Sequence, residues 1–156
     1  MLQRIQTLFL GIVAITTVVL FFMPTASFLS DFHYLKIYLY TIKDMTPQSE
    51  LQFGIMTVLP LLLVNTGIFI SVVMAIFTYK NRISQVKMVR FALLLSMLLM
   101  LGILLFYPNL VSKRLDISPE YEIGAYIPII NLLLLFLANR YILKDERLVR
   151  STSRLR

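Results

Sequence analysis

Four stretches of the chain carry no Asp, Glu, Lys, Arg or His: residues 5–30, 51–79, 91–112 and 123–139. These runs are too long for a soluble core. The apolar body of the first, residues 5–23, would be about 28 Å long as a helix, close to a hydrocarbon core of roughly 30 Å. The second would be roughly 43 Å long, so it must tilt, kink at Pro60 or project beyond the bilayer. The fourth is the shortest and contains Pro128. This pattern predicts an all-α membrane protein with four transmembrane helices at about 5–24, 51–79, 91–112 and 123–139. A basic helical tail follows over 140–156.

One segment breaks the helical pattern. Over residues 31–45, Phe32, Tyr34, Lys36, Tyr38 and Tyr40 alternate with His33, Leu35, Ile37 and Leu39. Period two predicts a short β-hairpin in the first outer loop, although an interfacial segment with tyrosines at headgroup level is the rival reading. Thr46–Pro47 reads as an N-cap followed by proline at the first helical position, and Ser118–Pro119 gives the same signal before the fourth span.

Composition agrees with this class. Of 156 residues, 58% are hydrophobic and 15% charged, and mean hydropathy is +0.81. A soluble domain has about 25% charged residues. The net charge is +7. Its placement is more informative than its size. Arg4, the loop with Lys80, Arg82, Lys87 and Arg90, and the tail hold eleven Lys/Arg; the other two loops hold four, together with six of the eight acids. The positive-inside rule then puts both termini in the cytoplasm. The first run is read as a retained anchor rather than a cleaved signal, since its apolar stretch is long and Pro24 stands beside the only candidate cleavage site.

The absence of cysteine excludes disulfides and thiolate metal sites, and one histidine cannot build a His-rich site. There is no Walker loop, HExxH or GxSxG, and His33 near Asp31 or Asp44 reads as a surface residue. No catalytic residue, metal or cofactor is therefore assigned. The tail lacks the aromatic interleaving of a nucleic-acid module and reads as a contact for anionic headgroups, with a docking helix as the alternative.

Within the spans, Asn65 lies at the depth of Thr16 and Thr17, and Asn131 near that of Ser96. Interhelical hydrogen bonding is favoured over a polar cavity. Gly67, Ser71 and Ala75 recur every four residues, a small-residue stripe that permits close packing of another helix of this chain or of a second copy. The lack of ionisable groups in the spans argues against a proton-coupled pump.

The opening Met1-Leu-Gln-Arg-Ile-Gln-Thr-Leu-Phe-Leu10, the hinge Tyr79-Lys-Asn-Arg-Ile-Ser-Gln85, the segment Gly124-Ala-Tyr-Ile-Pro128 and the tail from Leu137 to Arg156 resemble the domain-of-unknown-function family 4293. Ser153 departs from the Asp often found there. The resemblance implies a four-helix inner-membrane protein of Bacteroidota-type bacteria and supplies no activity. It also implies motif residues on the cytoplasmic side. Arg4, Arg82, Gln85, Asn139, Arg140, Asp145, Glu146 and Arg150 are expected to form a polar cluster there. The function expected is a non-enzymatic accessory or scaffold subunit, with a membrane-protein partner or a second copy. The alternative is a small transporter or a binder of lipid or another apolar ligand.

Overall fold

The computed structural model describes residues 2–29, 34–46, 55–79, 81–115 and 118–153. The helices are α1 (Leu2–Val19), α2 (Ile55–Phe77), α3 (Arg82–Leu101), α4 (Tyr107–Leu115) and α5 (Ile123–Ser153). A π-helical stretch, Gly102–Phe106, joins α3 to α4 without a break, so five helical segments make four rods. Rods adjacent in sequence pack together, and α1 also packs on α5, which closes the ring. Leu10, Val13, Ile68, Val72, Val89, Leu99, Leu135 and Ala138 fill its centre.

Three helical segments, Met56–Phe77, Arg82–Lys113 and Ile123–Arg147, are long and apolar enough to cross a membrane. The fourth apolar segment, Ile5–Val19, is shorter. The chain itself buries only about a third of each long segment. Leu8, Ile15, Leu63, Leu94, Leu98 and Leu133 are among the large apolar side chains left facing outward. Such a surface suits lipid rather than water.

α1 stops at Val19, earlier than the 5–24 segment suggested by hydropathy. Phe21 and Phe22 make tighter turns onto Val18 and Val19, and Pro24 then ends the helix. The chain is drawn off into a sheet, where the Thr25 amide donates to the Ile37 carbonyl at 2.8 Å.

That sheet is larger than the expected hairpin. Strands β1 (Ala26–Leu29), β2 (Tyr34–Ile37), β3 (Ile42–Asp44) and β4 (Glu120–Tyr121) form it in the order β3-β2-β1-β4. All neighbours are antiparallel. The alternation places Leu35, Ile37 and Leu39 inside and leaves Tyr34, Lys36 and Tyr38 half-exposed. Phe28, Leu35, Ile37 and Ile42 pack on Val58 of α2 and Val111 of α4 as a second apolar core. The sheet thus caps one end of the bundle.

One proline signal resolves differently from expectation. Ser118–Pro119 precedes β4, not a helix, and α5 starts only at Ile123. The Thr46 hydroxyl accepts from the Tyr34 amide and ties the hairpin, and the residues that it would cap lie outside the described ones. Pro47 lies outside the described residues.

α3 begins at Arg82, nine residues before the apolar run. Asn81 caps it, its side-chain oxygen accepting from the Ser84 amide at 3.3 Å. The turn from α2 is tight because the Asn81 amide itself donates to the Thr78 carbonyl. A cap plus a hydrogen-bonded turn starts the helix while the sequence is still polar. At the other end α5 runs from Ile123 without interruption to Ser153, so the described part of the tail is a continuation of the fourth rod.

Candidate functional site: a polar cleft at the end opposite the sheet

At the end away from the sheet, α1, the α2–α3 turn and α5 surround a cleft of about 450 Å³. Gln6, Thr7 and Leu8 come from α1, Tyr79, Arg82 and Gln85 from the turn and the start of α3, and Asp145 from α5. Arg82 bridges two elements. Its Nη2 lies 3.1 Å from Asp145 Oδ2, and its Nη1 donates to the Asp145 carbonyl at 2.9 Å. Both side chains are mostly shielded from solvent, at 23% and 15% exposure. A guanidinium can make both contacts at once because its donors are held in a rigid fork.

The two glutamines behave differently. Gln85 is buried, and its Nε2 donates to the Ala75 carbonyl at 3.1 Å, locking the turn to the last part of α2. Gln6 is only 3% exposed, yet its Nε2 has no hydrogen-bond partner among the described residues. A buried amide donor left unmatched costs about 1–3 kcal/mol, so such groups call for a specific reason.

The expected cluster is therefore assembled in part. Arg82, Gln85 and Asp145 meet in the cleft. Arg140 faces outward and is not one of its walls. It lies five residues before Asp145, and five residues put two side chains on different faces of a helix. Asn139 is half-buried with its Oδ1 unmatched, and Glu146 stands next to Asp145 without lining the cleft. The side chains of Arg4 and Arg150 lie outside the described residues. Gln6 is a cleft residue whose burial the sequence did not reveal. Its signal was its position on α1, one turn before Leu10 of the core.

Tyr141 of the tail stacks on Phe9, with ring centroids 5.8 Å apart.

The polar groups deeper in the bundle act as ties between helices. Asn65 Nδ2 donates to the Thr17 carbonyl at 3.1 Å, the neighbour anticipated from depth, but through the backbone rather than the hydroxyl. Asn131 does not meet Ser96. It accepts from the Thr16 hydroxyl, while Ser96 donates to the Pro128 carbonyl at 3.4 Å. The reason is the ring order: α5 packs on α1 as well as on α3, and Asn131 faces α1. The stripe of Gly67, Ser71 and Ala75 runs along the α2–α3 contact. A Cβ at Gly67 would lie 3.0 Å from Leu95 Cδ1, and Ala75 receives the Gln85 bond. Interhelical bonds of this kind contribute on average about 0.6 kcal/mol. Asn65→Leu is accordingly expected to change stability by less than about 1 kcal/mol in an SDS-unfolding titration. A loss several times larger would mean that Asn65 organises a polar interior instead.

Outside the bundle, Lys36 lies 3.6 Å from Glu122 and 5.3 Å from the Tyr34 ring centroid. The Tyr34 hydroxyl first, and Glu122 after it, hold the Lys36 ammonium above its ordinary range. Among the described residues no group of three His, Cys, Asp or Glu could hold a metal ion. His33 lies outside them.

A ring of four rods, three of them apolar enough for a bilayer, with a sheet at one end and a polar cleft at the other, defines the class of this protein. The chain belongs to the family described as domain of unknown function (DUF4293), which it matches over residues 2–155. No curated protein and no solved structure matches it significantly.

Proposed function

We propose that the chain is a multi-pass protein of the bacterial inner membrane. In this reading all four rods span the bilayer, with the sheet outside and the cleft in the cytoplasm. The charge asymmetry supports that orientation: the first residues, the segment between the second and third apolar runs and the tail hold eleven Lys/Arg, against four in the other two loops. A reporter fused after Arg156 tests it and is expected to be active in the cytoplasm. Periplasmic activity would overturn it.

Its role in this reading is that of a non-enzymatic accessory or scaffold subunit that engages a membrane-protein partner through the cytoplasmic cleft. The observation that carries this is Gln6. A buried amide with no acceptor of its own, beside a shielded Arg82–Asp145 pair, suits a partner group that brings an acceptor, such as a backbone carbonyl or a carboxylate. Basic residues of the tail would meet anionic headgroups at the same surface.

A photocrosslinking residue at Leu8, on the cleft rim, tests the contact in cells. It is expected to trap one defined product, to lose that product on Gln6→Leu, and to give none from Ile12, which is outside the cleft. A chain that crosslinks to nothing from Leu8 would count against a partner. Binding of lipid or another apolar ligand is the second reading, favoured by a groove at the other end of the bundle.

A further inference from the structure

A concavity wider than the polar cleft lies near the sheet. It is a groove of about 890 Å³ between α2 and the α3–α4 rod. Three local irregularities shape it. The π-helical stretch widens the rod where Leu105 and Phe106 enter the wall. Gly102 has no side chain to fill the space, and a Cβ there would already lie 3.1 Å from Leu61 Cδ2. Pro60 interrupts the hydrogen bonding of the facing helix. Such π-helical insertions concentrate at functional sites. The Tyr121 hydroxyl from β4 donates to the Leu104 carbonyl at 2.7 Å, so the widened turn is held from the sheet side.

The groove is polarised along its length. Its walls are mainly leucine, with Pro60, Val64 and Phe106, whereas Asn109 and Lys113 stand together at the sheet end. From Leu98 to Lys113 the rod advances about 22 Å, more than half of a hydrocarbon core of roughly 30 Å. A site running from near the bilayer midplane to a cation at headgroup level has the shape of one leaflet's lipid.

We propose that this groove holds an acyl chain of an anionic phospholipid from the leaflet on the sheet side, with the Lys113 ammonium and Asn109 amide on its headgroup. The commitment to an anionic lipid follows from charge. A helix of a second copy or of a partner would fill the apolar wall but offers no reason for a cation at the mouth, whereas a phosphate does. The inference rests on the membrane reading alone and is independent of the cytoplasmic cleft. The reporter fusion and the Leu8 crosslink can therefore fail separately from it.

The chain contains no tryptophan, which makes a single introduced one a clean reporter. Leu105→Trp places it on the groove wall, Leu101→Trp gives a second position there, and Leu133→Trp places it on an outward face of α5. All three leucines are about half exposed or more, so the ring is accommodated. The full chain is reconstituted in bilayers containing either brominated phosphatidylglycerol or brominated phosphatidylcholine, and quenching is read against mole fraction. The groove reporters are expected to favour phosphatidylglycerol about fivefold, the effect of one cation near a headgroup. That preference should vanish with Lys113→Gln, and Leu133→Trp should show none. Equal quenching by both lipids, or a preference that survives Lys113→Gln, would overturn the proposal. So would groove reporters that neither lipid quenches while Leu133→Trp responds, because protein would then cover the groove.

Discussion

Gly124→Ala is expected to lower the stability of the fold by about 3 kcal/mol, the upper part of the range for forcing an atom into a packed site. A Cβ at this position would lie 2.4 Å from the Pro24 carbonyl oxygen, 2.9 Å from the carbon bearing it and 3.2 Å from the Met23 oxygen. All three are backbone atoms, so no side-chain rotation relieves the overlap. Nor can the two segments move apart freely, because the Gly124 amide donates to that same Pro24 carbonyl at 3.0 Å. The neighbouring Glu122 amide donates to the Thr25 carbonyl at 3.2 Å, so the displacement would be transmitted to the sheet. Gly11→Ala is the internal control: a Cβ there meets nothing within 4 Å, and helix propensity should make the change neutral or slightly favourable. Parallel unfolding titrations in detergent measure both. Equal midpoints for the two variants would refute the close approach.

Arg82→Ala is expected to cost about 2 kcal/mol. That is less than the 3–5 kcal/mol of a fully buried ion pair, because both partners retain some exposure. The substitution removes two bonds and leaves the Asp145 carboxylate shielded without its cation. Adding Asp145→Ala should recover part of the loss, since an empty pair is better tolerated than half of one. Arg82→Lys should recover less than its charge suggests, because an ammonium cannot reach the carboxylate and the backbone carbonyl through two separate donors. A double-mutant cycle in the same unfolding assay gives the coupling. Strictly additive losses would show that the pair contributes no interaction of its own.

The helical part of the fold was legible in the sequence because hydrocarbon-length apolar runs have few alternatives. Boundaries were less so. Hydropathy cannot see where a helix is extended by a polar cap, and α3 starts at Arg82, behind the Asn81 cap, for that reason. Nor can it distinguish an apolar strand from the end of an apolar helix. Residues 26–28 of β1 are buried on both faces, so no polar face alternates there to mark the strand. The β2–β3 hairpin, with one face on the core, did announce itself by period two. Strand β4 is two residues long, too short for any periodicity.

The candidate site divides along similar lines. Arg82 and Asp145 could be expected to meet because both lie just beyond the same ends of their apolar runs. Depth along a helix axis sufficed for Asn65, whose partner lies on the adjacent rod. It failed for Asn131, where the deciding quantity was angle around the axis, which depth does not contain. The apolar groove had no sequence signature, since a π-helical turn in a leucine-rich run leaves composition and hydropathy unchanged.

The pairing of β1 with β4 has a temporal consequence. Ala26 faces Tyr121 and Ser27 faces Glu120, so the sheet joins a segment made early in synthesis to one made late. Until the segment before the last rod has been made, β1 keeps an open edge, and the contact that seats Gly124 on Pro24 cannot form. A ribosome-bound chain halted before that point would therefore carry an unfinished cap. Closure of the cap would mark the arrival of the segment that leads into the last rod.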